Sequence, residues 1–179
     1  MTVTPTESDV FKWLGDFLGQ ILPGVDVSQG QENYVPPSKD LDYIVMWPIR
    51  RSRLSTNHFS YTPATDPSPA VGSRTVAAPT DVVIQLDFHG VNCGDNTQVF
   101  TTLFRDPFAT GYFATSGYTP LYCDDGQQLA FETGENTFEN RWTLYAHLQA
   151  TPAVSTTQQF ADNLQTELIN VDATYPPGG

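Results

Sequence analysis

Positive charge is scarce in this sequence. Eight Lys and Arg residues stand against 20 Asp and Glu, a formal net charge of −12, and the isoelectric point is near 4.3. Gripping nucleic acid requires a net basic surface to neutralise phosphates, so a nucleic-acid reader is a poor fit. Cysteine is nearly absent. Cys93 and Cys123 are too few for a disulfide framework and read as free thiols, as in a reducing compartment. They lack the spaced partner set that a zinc site needs. No apolar run approaches the roughly 18 residues of a membrane span. The opening MTVTPTESD has no basic region ahead of an apolar one, the mark of a secretion signal. The expectation is a soluble protein, without membrane contact, used in a cytoplasm or in something assembled there.

What is present describes a folded chain. Its 179 residues, against roughly 150 for a typical domain, predict one domain over 1–175. The terminal Pro176-Pro177-Gly178-Gly179 reads as a flexible tail over 176–179. Hydrophobic residues make up 39% and include 11 Phe, 8 Tyr and 3 Trp, too many for a disordered chain. Charged residues make up only 16%, and Thr, Asn, Gln and Ser take their place, a composition suited to strands and protein contacts. The 13 Gly and 14 Pro make much of the chain loop.

The first element is a helix. Thr4 is placed to cap it, Pro5 fits its first position, and Glu7 stands where a capping box wants an acid. Val10, Phe11, Leu14, Phe17, Leu18, Ile21 and Leu22 form one stripe at helical spacing, ended by Pro23-Gly24, with Trp13 at its edge. Val25 to Lys39 reads as irregular. Leu41 to Ile49 reads as a strand, with Pro48 suited to its end or to an edge. Arg50, Arg51 and Arg53 follow, and Leu54 to Tyr61 is placed to pair back as a hairpin. Thr62 to Ser73, TPATDPSPAVGS, is too rich in Pro and Ser to hold a ladder.

Val82 to His89 is the clearest strand: Val82, Ile84, Leu86 and Phe88 alternate with Val83, Gln85, Asp87 and His89. Gly90 to Asn96 reads as a turn and Thr97 to Arg105 as a helix with Val99, Phe100, Leu103 and Phe104 inward. Asp106-Pro107 stops it. Residues 108–139 are loop-rich, with extended pieces near Leu121-Tyr122 and Leu129 to Phe131. Trp142, Leu144, Ala146 and Leu148 mark another half-buried strand. Leu164 to Val171 reads as a last strand, with a helix over Phe160 to Leu168 as its rival. The class is α+β: a mostly antiparallel or mixed sheet with two helices on one face.

Catalytic signals are weak. Asp124-Asp125-Gly126 with Asp87 and His89 could form a hard-metal cluster serving a nuclease or hydrolase. Asp-Asp-Gly is also ordinary turn chemistry, and Asp87 and His89 could share a solvated strand face. A Cys93–His89 pair is a second catalytic candidate. His58, His89 and His147 all fall on predicted strands. No phosphate-binding glycine loop and no nucleophile elbow occur. The reading names no catalytic residue, metal ligand or cofactor. The arginine cluster marks a strand end facing an acidic protein partner rather than nucleic acid.

The order of several motifs is more specific than any of them alone. Arg53-Leu54-Ser55-Thr56-Asn57 follows the first strand, and Val82 to Gly90 leads to Leu103-Phe104-Arg105-Asp106-Pro107. Then come Pro120-Leu121-Tyr122-Cys123-Asp124-Asp125, Glu139-Asn140-Arg141-Trp142, and Leu168-Ile169-Asn170-Val171-Asp172. The set resembles the neck or tail terminator proteins of tailed phages over nearly the whole chain. His89 departs from that pattern, which has an aromatic, often Tyr, before the glycine. The resemblance implies a structural virion protein at the neck, assembled in the host cytoplasm. It implies a homo-oligomeric ring, expected to be a hexamer, that ends tail-tube growth and joins the tail to the head connector. DNA then passes through the lumen without specific binding. Similar terminators carry a long loop between the two strands that flank Thr62 to Ser73, and it meets the tube. The interface residues so implied are Thr62, Pro63, Asp66, Pro67, Pro69 and Val71, with Arg50, Arg51 and Arg53 beside them. A monomeric assembly adaptor is the non-enzymatic alternative.

Overall fold

The computed structural model describes residues 2–31, 37–38, 41–64, 71–129, 131–132 and 138–159. The expected strand at 164–171, its helical rival at 160–168 and the tail at 176–179 lie outside them. In chain order the elements are β1 (Val3–Thr4), α1 (Glu7–Ile21), β2 (Asp26–Gln29), β3 (Tyr43–Arg53), β4 (His58–Thr62), β5 (Val71–Ala77) and β6 (Thr80–His89). There follow α2 (Cys93–Phe104), α3 (Pro107–Phe113), β7 (Tyr118–Cys123), β8 (Gln127–Gln128), β9 (Phe131–Glu132), β10 (Phe138–Glu139), β11 (Arg141–Ala150) and β12 (Ala153–Gln159). The class is α+β as expected, but three helices rather than two pack on one face of the main sheet.

Helix α1 begins two residues later than its sequence suggests. Thr6, not Thr4, is the N-cap. Its Oγ1 accepts from the Asp9 N–H at 3.3 Å, and the Asp9 carboxylate accepts from the Thr6 N–H at 2.7 Å, so Asp9 rather than Glu7 completes the capping box. Thr4 instead pairs with Ala153 in a sheet. The predicted stripe is buried at Val10, Phe11, Leu14, Phe17 and Leu18. Trp13 meets Tyr112 of α3 edge-on at 6.0 Å.

The main sheet runs β2-β3-β6-β11-β7. β2, expected as irregular chain, pairs in parallel with β3 from Asp26 to Gln29; four mostly polar residues carry no period of their own. β3 continues through the arginine cluster to Arg53, pairing with β6 along its length. β2 stops opposite Met46, so the outer edge of β3 is open at Pro48, where a missing N–H costs no ladder bond.

α2 starts at Cys93, inside the stretch expected to be a turn. Its N-cap, Asn92, makes no side-chain cap bond. Asp42, at the foot of β3, supplies the anion instead: its carboxylate accepts from the Asn92 N–H at 2.9 Å and from Asn92 Nδ2 at 2.8 Å. Phe100 and Phe104 point inward, but Val99 is 38% exposed. Asp106 ends α2 and also caps α3, accepting from the Phe108 N–H at 2.8 Å. The region expected as loop thus holds a third helix, with Pro107 at its first turn.

Strand β6 is buried on both faces, contrary to the expectation of a solvated side. Val82, Ile84, Leu86 and Phe88 join the core beneath the helices. The opposite face holds a buried polar row. His89 Nδ1 lies 3.1 Å from Glu139 Oε1, to which the Tyr43 hydroxyl donates at 2.9 Å, and the Tyr43 and His89 rings stack at 4.5 Å. Asp87 accepts from Thr143 Oγ1 at 2.6 Å and from Gln85 Nε2 at 2.9 Å. His147 Nδ1 lies 3.0 Å from Asp81, under the stacked ring of Tyr122 at 4.1 Å. Buried polar atoms are tolerated because they are satisfied.

Two expected strand pairings change. β4 does not fold back on β3; it pairs with β5, whose strand begins at Val71. Thr62 and Ser73 are direct partners in that ladder, although the segment between them was expected to hold none. β12, which the sequence does not announce, pairs with β5 from Ala153↔Ala77 to Gln159↔Val71. The second sheet therefore runs β1-β12-β5-β4. It continues the three central strands past breaks at 54–57, 78–79 and 151–152, tied by Leu54 N–H to Pro79 O (2.9 Å) and Ala78 N–H to Pro152 O (3.0 Å).

Two outcomes follow from this packing. Gly90 has φ +103°, and a Cβ there would stand 2.6 Å from the Leu41 carbonyl oxygen and 2.5 Å from the Asp42 carboxylate that caps α2. Gly90→Ala is expected to cost about 2 kcal/mol or more, measured by urea denaturation. Burial pushes the His89 imidazole below its ordinary value, outweighing the upward pull of the Glu139 and Asp87 carboxylates. The unfolded chain then binds a proton near pH 6.5 that the native state does not. Stability is full above that pH and falls as the pH drops below it, until native His89 itself protonates. His89→Gln should flatten this slope in denaturation midpoints taken between pH 7.5 and 5; an unchanged slope would refute the assignment.

Candidate assembly interface

The residues considered for catalysis do not converge. Asp87 lies on the polar face of the main sheet, held by Thr143 and Gln85. Asp125 lies on the helix side, 92% exposed, 3.0 Å from Arg105 at the end of α2. Arg105 also donates to the Cys123 carbonyl, and Asp124-Asp125-Gly126 is not the turn its composition suggests: it is an irregular link between β7 and β8, which pair in succession along the same edge of β11, with the Asp124 N–H donating to the Tyr145 carbonyl at 3.0 Å. Among the described residues no three His, Cys, Asp or Glu side chains group as metal ligands. Cys93 and Cys123 are both free and buried. Burial pushes both thiols up, away from the thiolate that a nucleophile requires. His89, the partner imagined for Cys93, is engaged with Glu139. His89 and His147 are buried on strands, and His58 is exposed on β4.

The candidate contact surface is the four-stranded extension, the arm. All five residues of β4 are exposed. Phe59 and Tyr61 stand 52% and 55% exposed, two residues apart on one face of the strand. Register sorts the arm into two faces. One carries the row Phe59↔Val76↔Val154↔Val3 across all four strands, with Arg74 beside it, its guanidinium 4.5 Å above the Phe59 ring. The other carries hydroxyls: Ser60, Thr62, Ser73, Thr75, Ser155 and Thr157, with Thr75 Oγ1 and Ser155 Oγ 2.7 Å apart.

The arm is poor in charge. Its strands, of two, five, seven and seven residues, hold one formal charge, Arg74, and no Asp or Glu. The chain as a whole carries 20 acids. At the base of the arm, Arg50, Arg51 and Arg53 are exposed on β3. Arg51 reaches Glu7 at 3.3 Å, an exposed pair of little energetic weight.

The implied interface residues divide accordingly. Thr62 and Val71 are strand residues of the arm and Pro63 follows β4 directly. Asp66, Pro67 and Pro69 lie outside the described residues. The arm as a site was not found from sequence, because β12 was not; the available signal was the acid-free run Ala153–Gln159, whose Ser, Thr and Gln alternate in exposure.

A search of curated proteins finds no match. A protein-family model described as phage neck terminator protein matches residues 8–173, a span that covers the helices, the main sheet and the arm except β1. The exposed, acid-free sheet agrees with that match: the chain belongs to the phage neck terminator family, and its role is structural.

Proposed function

We propose that copies of this chain assemble head to tail into a ring at the head-proximal end of the tail, with the arm as the main contact. The ring ends growth of the tail tube, offers its other side to the head connector, and lets DNA through without binding it specifically. Six subunits match the symmetry expected of the tube. The observation that carries this reading is the absence of acids from the arm. Subunits of net charge −12 repel one another; they meet at lower cost where carboxylates are missing, and the strands of the arm carry none. A heterologous contact of this kind closes into a ring when its rotation closes.

The segment between β4 and β5 is the proposed contact with the tube protein or the adjacent subunit. It includes Pro63, Asp66, Pro67 and Pro69, with Thr62 and Val71 at its base. Its prolines reduce the entropy lost on ordering, and Asp66 is its one charge, so docking desolvates little. Arg50, Arg51 and Arg53 face an acidic partner surface at the base of the arm.

Two outcomes test this. Ser60→Glu combined with Thr157→Glu places carboxylates on the hydroxyl face of the arm. The ring, read by native mass with and without tube ends, should be lost, while the melting of the isolated subunit changes by no more than about 0.5 kcal/mol. Deletion of 65–70 with a Gly-Ser bridge leaves Val71 in its ladder. Ring formation should persist while joining of tails to heads fails, and normal yields of joined particles would remove the docking role of the segment.

A further inference from the structure

Strand edges are a hazard in any open sheet, and proteins normally guard them with proline, charge or irregularity. The free edges of this protein are treated unequally. The open half of β3 carries Pro48 and three arginines. β7 carries Pro120, and its pairing with β11 shifts register between His147 and Leu148. β2 is four residues long and begins with Asp26. The arm has no such protection. β4, His-Phe-Ser-Tyr-Thr, contains neither proline nor formal charge, is exposed throughout, and among the described residues pairs with β5 alone. At the opposite side of the arm, β1 covers only Ala153 and Val154 of β12. Ser155 to Gln159, Ser-Thr-Thr-Gln-Gln, follows with no proline and no charge, and among the described residues no strand lies on its outer side.

These two edges are five residues each, both neutral, and lie at opposite ends of one sheet. We infer that they are made for each other across subunits: β4 of one copy adds to the outer edge of β12, at Ser155 to Gln159, in the next. Main-chain hydrogen bonds would then run from arm to arm, the same physics by which peptides add to an exposed sheet edge. β4 and β12 are both antiparallel to β5, so they run parallel to each other within a subunit. Rotation about an axis along the strands preserves direction, so the junction is a parallel pair with evenly spaced bonds. Each copy offers one β4 and accepts one, which is a heterologous contact with both edges consumed on closure. The proposal rests on the ring reading and specifies its contact.

Cysteine cross-linking tests it. Ser60 and Thr75 are partners, as are Thr75 and Ser155, so Ser60 shares a sheet face with Ser155, Thr157 and Gln159. Paired strands approach to about 4.8 Å, within disulfide reach. Ser60→Cys would be combined in turn with Ser155→Cys, Thr157→Cys and Gln159→Cys. The native Cys93 and Cys123 are buried and stay out of the exchange. Under mild oxidation, with the subunit alone and on purified tail tubes, one combination should give a covalent ladder ending at the ring size, and each single variant should stay monomeric. A ring seen by electron microscopy without a ladder in any combination overturns the strand junction and leaves the ring reading standing. A covalent dimer of Ser60→Cys alone shows β4 meeting β4 and overturns it too. A subunit that stays monomeric even on tube ends overturns both.

Discussion

Strand β6 must be satisfied on two chemically opposite faces at once, and the rest of the molecule is arranged to do so. Toward the helices it presents Val82, Ile84, Leu86 and Phe88. Against them sits Phe17 of α1, whose ring lies within 5.3–6.3 Å of Phe100, Phe104, Phe108, Tyr112 and Phe113. Aromatic pairs at such distances stabilise by roughly 0.5–1.5 kcal/mol each beyond their burial. One residue of α1 thereby holds α2 and α3 in place. Toward the other side β6 presents Asp81, Asp87 and His89, each with a partner from β11, β10 or β3. Leaving any of them unmatched would cost more than the bond itself contributes.

That double burial explains why the arm can project. β6 pairs with β11 in unbroken register from Arg141↔His89 to Ala150↔Thr80, and with β3 from Tyr43↔His89 to Arg53↔Thr80 with one register shift between Pro48 and Arg50. Their continuations emerge from the body already aligned. β4, β5 and β12 therefore keep the lateral order of their parents without a core of their own, and Phe59 and Tyr61 remain exposed. A short ribbon is marginal alone; here a rigid sheet anchors it. The family identity and the exposed acid-free ribbon agree on a molecule whose work is contact. None of its acids lies on the strands of the arm. Some cap helices, as Asp9, Asp42 and Asp106 do; others sit in buried hydrogen bonds, as Asp81, Asp87 and Glu139 do.

Local pattern alone determined the amphipathic stripe of α1, the alternation of Val82–His89, the strand from Trp142 to Leu148 and the stop at Asp106-Pro107. Each is a period or a steric rule expressed within a few residues. The ordered motifs were also enough for the family, because order and spacing survive without knowledge of contacts. Tertiary structure decided the rest. α2 starts at Cys93 because Asp42, 50 positions away, caps it. β2 is a strand because β3 offers its edge, and Asp87 with His89 is buried because polar partners arrive from other strands. The arm exists because β5 and β12, polar segments with little hydrophobic period, inherit alignment from β6 and β11. Periodicity reports which face of a segment is apolar; it is silent where a segment is held by hydrogen bonds to chain far away, and the proposed assembly surface is made of such segments.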